Sequence, residues 1–198
     1  MKRYFGMAAV ILLGAALCLP ACKGKQGDTG PTGSSGTGST SPSQYCAHPT
    51  PQGYAGTSQV DYHIASFLTS FAVTLASDTT CVSLGINMSA GPVTGQVRLG
   101  LYNDTGSNYP KNLVVQTDPF TPKLSAMNNI DVPDTYLPAG TYWVAVLYSD
   151  NNAACNYWAA GGGTIKALSS PWGLLPQAFP IGGGTFTNRI ALVINTCP

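Results

Sequence analysis

YWVAVLY, residues 142–148, is the most informative segment of the chain. Tyr142, Val144 and Val146 would share one face of a strand, and Trp143 and Leu147 the other, so both faces are apolar. A short apolar run rich in aromatic and β-branched residues is typical of a strand that is buried on both sides. We therefore predict a central strand here, covered by other parts of the chain on each face.

Strands with one buried face surround this segment in the sequence. Apolar and polar or small residues alternate over 71–75, 82–88, 97–102 and 186–196, the period expected for strands. Turn-forming residues separate these segments. Two Gly-Gly-Gly-Thr runs, at 161–164 and 182–185, are interpreted as hairpin turns or β-bulges. We predict an all-β, antiparallel β-sandwich of jelly-roll type; a single closed sheet is the alternative.

The composition supports this class and excludes others. Gly 23, Pro 15 and the complete absence of Glu argue against a helical bundle. Charged residues make up 9% of the chain, with Lys+Arg 9 against Asp+Glu 8. A protein with so few charges does not bind nucleic acid through its phosphates, so we expect no nucleic-acid partner.

The N-terminal residues resemble the signal of a bacterial lipoprotein. A short basic segment precedes an uncharged apolar run over 6–19, which is too short to span a bilayer. Leu19-Pro20-Ala21-Cys22 then resembles the lipobox, whose cysteine is lipidated. The resemblance implies a signal peptide over 1–21 and a membrane anchor at Cys22. Lys23 in place of Asp favours the outer membrane or cell surface; a simple cleaved signal with an unmodified cysteine is the alternative.

A polar tether follows over residues 22–44. Glycine at every third position from Gly24 to Gly36 resembles the collagen-like repeats of bacterial surface proteins. The repeat has fewer than five complete triplets and a single proline, Pro31, so we favour a flexible coil over a triple helix. A homotrimer assembled through this segment is the alternative. Residues 45–198 are then long enough for one globular domain.

Three segments of the domain resemble a module of secreted bacterial surface proteins. They read VRLGLYND at 97–104, YPKNLV at 109–114 and LPAGTYWVA at 137–145, close to the module's pattern LY-D-G-P-L followed by L-AG-TYW. The resemblance covers about residues 67–150. It implies a sandwich attached to an anchor, with no implied catalytic chemistry.

Four cysteines remain after Cys18, in the signal peptide, and Cys22 are set aside. An even number in an exported domain predicts two disulfides, and four cysteines allow three pairings. We favour one bridge that closes the ends of the domain and a second in its interior. The spacing does not suit a zinc site. The favoured pairs are Cys46 with Cys197 and Cys81 with Cys155.

Aromatic residues in predicted loops are the candidate ligand-binding residues. Flat aromatic side chains stack on the apolar faces of sugar rings, so an exposed group of them suits a saccharide. Trp172, in the segment SSPWG, is the best exposed candidate. Trp143 is assigned to the core, and Trp158 is open to the same interpretation. The candidates are Trp172, Tyr109, Tyr157 and Trp158.

Catalytic and metal-binding patterns are scarce. The chain has neither a nucleophile elbow nor a phosphate-binding loop nor a zinc-protease helix, and its two histidines, His48 and His63, accompany no nucleophile motif. We therefore predict a non-catalytic protein without a cofactor. Asp104 and Asp150 lie beside asparagines and are candidate calcium ligands, although such clusters are equally ordinary in turns.

Three hypotheses follow, in this order. The first is an exported, lipid-anchored surface protein that presents a sandwich for ligand binding or adhesion, with a saccharide or another cell-surface molecule as the ligand. The second is a structural protein trimerised through the collagen-like segment. The third is a hydrolase with an unrecognised site. The fold does not choose among them, because sandwiches carry many functions.

Overall fold

The computed structural model describes residues 46–57, 59–62, 66–90, 95–104, 106–150 and 155–198, without the side chains of 59–62 and 155–158. The predicted signal peptide 1–21, the lipid site Cys22 and the tether 22–44 lie outside the described residues. The part of the chain that is described contains no helix. None of its segments is therefore a helix long and apolar enough to cross a bilayer.

The described residues form eleven strands, which account for every strand predicted above. The predicted strand 186–196 is divided at Ala191, where the chain passes from one sheet to the other. In chain order the strands are β1 (Thr50–Gly53), β2 (Gln59–Tyr62), β3 (Phe67–Leu75), β4 (Thr79–Met88), β5 (Val97–Asp104), β6 (Pro110–Gln116), β7 (Ala126–Leu137), β8 (Gly140–Tyr148), β9 (Cys155–Ser169), β10 (Gly184–Ile190) and β11 (Leu192–Cys197).

The strands build two antiparallel sheets, so the predicted sandwich is confirmed. Sheet one has the order β1-β11-β4-β7. Sheet two has the order β6-β5-β8-β3-β9-β10, and β2 pairs with the first residues of β9. Among the described residues the ladders of the two sheets meet at one bridge, between Met88 and Asn156.

The main core lies between the sheets. The inward residues of β8, β3 and β5 pack against those of β4 and β11, and the predicted central strand does lie between β3 and β5. Because side chains alternate along a strand, each of these strands contributes every second residue to this core. This core includes Phe71, Leu84, Ile86, Met88, Leu99, Leu101, Tyr142, Tyr148, Leu192 and Ile194.

A second, smaller core explains why β8 is apolar on both faces. The segment 170–183 between β9 and β10, called the strap here, crosses the side of sheet two that faces away from sheet one, called the outer face. Trp143 and Leu147 of β8 are fully buried beneath it. Leu175 and Phe179 of the strap complete this cluster.

One aspartate ties together two neighbouring chain crossings between the sheets. Asp78, in the turn before β4, accepts hydrogen bonds from the Tyr136 hydroxyl at 2.5 Å and from the Ala139 N–H at 2.8 Å. Tyr136 lies near the end of β7, and Ala139 lies in the turn from β7 to β8. The Tyr136 hydroxyl first, and the Ala139 N–H second, lower the pKa of the Asp78 carboxyl.

The cysteines confirm one of the two predicted disulfides. Cys46 and Cys197 are bonded, with their Cα atoms 5.8 Å apart. The second pairing, Cys81 with Cys155, is wrong, because Cys81 is a buried free thiol. Cys155 precedes Asn156, which pairs with Met88. Met88 lies seven residues from Cys81 along β4, a distance of about 23 Å. Burial raises the pKa of the Cys81 thiol to about 12.

The first triple-glycine run is a bulge in β9, as predicted. Between the paired positions Ile165–Phe186 and Ala160–Asn188, β9 uses five steps where β10 uses two. Gly161 and Gly162 adopt φ values of 74° and 75°, which favour glycine. The Arg189 Nε donates to the Gly162 carbonyl at 3.0 Å and so holds the bulge against β10.

Candidate functional site

Strand register arranges the outer face of sheet two in rows. The first row runs Arg98–Leu147–Leu68–Leu168 across β5, β8, β3 and β9. The second runs Gly100–Ala145–Ser70–Lys166, and the third runs Tyr102–Trp143–Ala72. The middle of this array is apolar, with one cation at each side. Neither cation stands out from the sequence pattern, which shows only alternation.

The strap lies across these rows and is held by both packing and hydrogen bonds. Leu175 sits over Gly100, so that a Cβ atom at Gly100 would be 2.2 Å from the Leu175 Cδ1. Phe179 meets the Tyr102 ring edge-on, with centroids 5.1 Å apart. At the far edge the strap adds backbone hydrogen bonds to β6, from the Leu113 N–H to Gln177 and from the Phe179 N–H to Lys111.

Tyr109, one of the four candidate ligand-binding aromatics, fastens the end of the strap. Its hydroxyl lies 2.9 Å from the Pro180 carbonyl and 2.7 Å from the Gly182 carbonyl, which share its proton. The Lys166 ammonium lies 5.1 Å from the ring centroid, a cation–π contact. The hydroxyl and one face of Tyr109 are therefore already occupied, and only the remaining ring surface is open to a ligand.

Trp172, the leading candidate, lies at the opposite end of the strap. It is partly buried against the second core. Its indole N–H has no acceptor within the described part of the chain. A tryptophan N–H that packing buries generally finds a partner, so a free donor indicates a side chain that keeps one edge in contact with solvent.

Polar groups border the Trp172 end of the outer face, and we call them the rim. The Ser170 N–H donates to the Ser66 carbonyl at 2.7 Å. The Gln96 N–H donates to the Ser149 Oγ at 2.7 Å, and the Ser149 N–H donates back to the Gln96 carbonyl at 3.0 Å. These rim groups bond to one another, and Ser170 precedes the partly buried Trp172 by two residues.

The other two candidates, Tyr157 and Trp158, belong to the first residues of β9, and their side chains lie outside the described ones. Trp158 pairs with Ile190 of β10, whereas Ala167, near the start of the strap, pairs with Gly184. Six residues of β10 separate these positions, or about 20 Å. The structure therefore brings Trp172 and Tyr109 to one surface and leaves the backbone of Tyr157 and Trp158 away from it.

Sequence reasoning missed Arg98, which is the most unusual polar residue of this face. Only 7% of its surface is exposed. Its Nη1 donates to the Thr117 carbonyl at 2.8 Å, while its Nε is buried without a partner. No carboxylate in the described part of the chain forms an ion pair with it. The one available signal was a charged residue in a strand that neighbours a wholly apolar one.

Asp104, one of the two candidate calcium ligands, serves a turn, the alternative stated above for such clusters. Asp104 Oδ1 accepts from the N–H groups of Gly106 and Ser107 at 2.7 and 3.1 Å, and its Oδ2 accepts from the Trp143 indole at 3.0 Å. Both oxygens thus serve the turn and the buried indole. Asp150 follows β8 and precedes 151–154, which lie outside the described residues. The described residues contain no cluster of three metal-binding side chains.

The histidines add no catalytic arrangement that the structure describes. His48 is exposed, close to the disulfide, and His63 lies outside the described residues. Comparison with protein families, with characterised proteins and with solved structures finds no match for this chain. The functional argument therefore depends on the strap, the rim and the cysteines.

Proposed function

We propose that the chain is an exported, lipid-anchored surface protein whose sandwich binds a saccharide at the Trp172 end of the strap. The observation that carries the binding part is Trp172 itself, a partly exposed indole with a free N–H beside a polar rim. No catalytic group is required, and the proposal assigns none.

The disulfide supports export. Disulfides persist in oxidising compartments and are rare where glutathione keeps thiols reduced. The Cys46–Cys197 bond joins the first described residue to the end of β11. Together with the lipobox-like segment ending at Cys22, it favours a domain held outside the cytoplasm by a short polar tether.

The chemistry of the surface suits a sugar better than a purely apolar ligand. An indole face packs against the C–H face of a pyranose ring, and the indole N–H donates to one of its hydroxyls. Trp172 belongs to a segment anchored at both ends, at the Ser170 N–H and at the Leu175 N–H, which donates to Gln116 Oε1 at 3.0 Å. The indole is thereby positioned before a ligand arrives, which limits the entropy lost on binding.

Binding of a broad glycan panel to the processed chain, residues 22–198 with Cys22→Ser, tests the proposal. This protein, otherwise of wild-type sequence, should bind at least one glycan saturably. Trp172→Ala should abolish that binding. Leu174→Ser is the matched control, because Leu174 is the exposed neighbour of the same segment, 74% accessible. Leu175→Ala loosens the strap without removing the indole, so retention of binding in this variant assigns the effect to Trp172.

Two results would overturn the proposal. One is an absence of saturable binding to any glycan, which would favour the assembly hypothesis and call for sedimentation of the chain with and without residues 24–38. The other is glycan binding that Trp172→Ala leaves unchanged.

A further inference from the structure

We propose that the domain has a second, mechanical function: it transmits tension between the membrane anchor and a ligand bound at the Trp172 end of the strap. The Cys46–Cys197 bond sets the path of that tension. This inference rests on the proposed function, which supplies the anchor and the ligand. It starts from the place of the disulfide in the chain, because the tether joins the domain at Cys46, the residue that is bonded to Cys197.

The disulfide shortens the covalent connection between anchor and ligand. Trp172 lies 126 residues after Cys46 but only 25 residues before Cys197. When non-covalent contacts yield under tension, the shortest covalent path becomes taut, while a longer path in parallel stays slack. With the bond intact, the short path runs from Cys46 to Cys197 and then through β11, β10 and the second half of the strap. Residues 47–171 are thereby kept out of the path of tension.

The first strand on this path, β11, is held on both sides. It lies between β1 and β4, and all six of its residues are buried. Side-chain hydrogen bonds reinforce the end at which tension enters. The Thr79 Oγ1 donates to the Cys197 carbonyl at 2.6 Å. The Asn195 Nδ2 donates to the Ser83 Oγ at 2.9 Å and to the Asn129 Oδ1 at 3.0 Å. Tension has to open two ladders and these bonds together to pull β11 out.

Without the disulfide, tension would enter through β1, which is poorly suited to resist it. β1 has four residues, three of them exposed, and its ladder partner among the described strands is β11. One of the four is Pro51, which has no N–H to donate. The disulfide therefore moves the point of entry from a short edge strand with one neighbour to an inner strand with two.

The rest of the short path is also tied to its neighbours. β10 pairs with β9, and the Arg189 side chain fastens it to the glycine bulge. The strap is bonded to β6 at Gln177 and Phe179, and the Tyr109 hydroxyl holds its end. Each segment of the path is thus bonded to at least one neighbouring segment, so resistance to extension is not confined to β11.

Single-molecule stretching of residues 22–198 with Cys22→Ser tests the proposal. One handle is ligated to the N-terminus, and the other is attached through Leu174→p-azidophenylalanine, because Leu174 is 74% exposed. Leu174 lies 23 residues from Cys197 and 128 from Cys46. Beyond the extended tether, unfolding should lengthen the disulfide-bonded protein by at most about 80 Å. Cys46→Ser with Cys197→Ser should raise this limit to about 450 Å.

The order of opening and the lifetime under force test more than the presence of the bond. The serine variant should first release β1, a step of up to about 45 Å for the chain from Cys46 to β2. The disulfide-bonded protein should lack this step. It should also survive roughly ten-fold longer at the same constant force, because the additional ladder of β11 has to open at once.

A second pair of handles is the matched control. Leu124, 42% exposed, precedes β7 and lies 50 residues from Leu174, a path that the disulfide does not shorten. Stretching between these two positions should lengthen both proteins equally, by up to about 175 Å. Their lifetimes should agree within about two-fold, since a crosslink acts mainly on the unfolded chain. The same measurement shows that the serine variant is folded before it is stretched.

Three stretching results overturn the inference. One is an equal lifetime of the two proteins between the N-terminus and Leu174, and another is an early release of β1 in the disulfide-bonded protein. The third is a lifetime ratio that is the same for both pairs of handles, which shows a general effect of the crosslink. These results leave the proposed function standing. An absence of glycan binding in the panel overturns the proposed function and this inference together.

Discussion

Gly100 and Leu175 should show a reversal of sign in a double-mutant cycle. Gly100 lies on the outer face of β5 directly under Leu175, 2% exposed, and its φ is not positive. An alanine there would put its Cβ 2.2 Å from the Leu175 Cδ1. We predict that Gly100→Ala destabilises the parent protein and stabilises the Leu175→Ala variant.

The expected changes in the free energy of unfolding follow from the atoms removed or added at the two positions. Leu175→Ala removes three buried carbons, at about 0.8 kcal/mol each, so the loss is about 2–3 kcal/mol. Gly100→Ala alone overpacks the site by about 1–3 kcal/mol, less about 0.5–1 kcal/mol for replacing a strand glycine. In the double variant the methyl group occupies vacated space. It then contributes about 1 kcal/mol instead of opposing folding, which gives a coupling of about 2 kcal/mol.

Urea unfolding of the four proteins, followed by tryptophan fluorescence with the disulfide oxidised, measures the cycle. Comparison is valid where the slope with denaturant is the same in all four. For a domain of this size, 1 kcal/mol corresponds to about 2–4 °C in melting temperature, which gives an independent readout. If Gly100→Ala destabilises both backgrounds equally, within about 0.5 kcal/mol, Leu175 does not occupy the space above Gly100 and the description of the strap is wrong.

Three further predictions follow from the ties described above. Cys46→Ser with Cys197→Ser should lower the free energy of unfolding in urea by up to about 5 kcal/mol, because the bridge spans a sequence separation of 151 residues; an unchanged midpoint would contradict this. Asp78→Asn should remove part of the acid destabilisation seen in melting curves: the Asp78 pKa is depressed, so its stabilisation is complete above about pH 4 and is lost as pH falls through the folded pKa. An equal fall of melting temperature at low pH in the two proteins would refute this prediction. Asp104→Ala should cost about 1–3 kcal/mol in the same urea assay by leaving the Trp143 indole N–H without an acceptor, and Asp104→Asn, which keeps an acceptor, should cost less.

The strands β3, β4, β5, β8, β10 and β11 were predictable because their side chains follow the two-residue period of a strand, whereas β1, β2, β6, β7 and β9 were not predicted. The segment 142–148 showed two apolar faces, and both are buried, one against sheet one and the other beneath the strap. The strap itself had no such signature. Its core residues Leu175 and Phe179 stand in an irregular segment rich in Pro and Gly, where no period links spacing to burial.

The cysteines show the same limit for long-range contacts. Closure of the domain by Cys46 and Cys197 followed from their positions at its two ends, whereas the proposed bond between Cys81 and Cys155 required knowing how β4 and β9 are aligned. The register brings Cys155 near Met88, at the wrong end of β4. Alternation tells which face a residue occupies and nothing about its position along the neighbouring strand.

The candidate site was predictable in part. Trp172 and Tyr109 both lie on the outer face, but at opposite ends of the strap, and Tyr109 mainly secures the strap. In the sequence pattern, Arg98 resembles a residue on the polar face of an amphipathic strand. Its burial and its bond to Thr117 depend on tertiary contacts, which leave no trace in the local pattern.

The disulfide also changes which part of the domain opens first. β1 has four residues and lies at an edge of sheet one, where an isolated strand would fray readily. The bond from Cys46 to Cys197 keeps β1 at a high effective concentration beside β11, so that each separation is followed by rapid re-pairing. Both ends of the domain should therefore be among its slowly exchanging amides, an inversion of the usual gradient, in which termini are the most labile part of a fold.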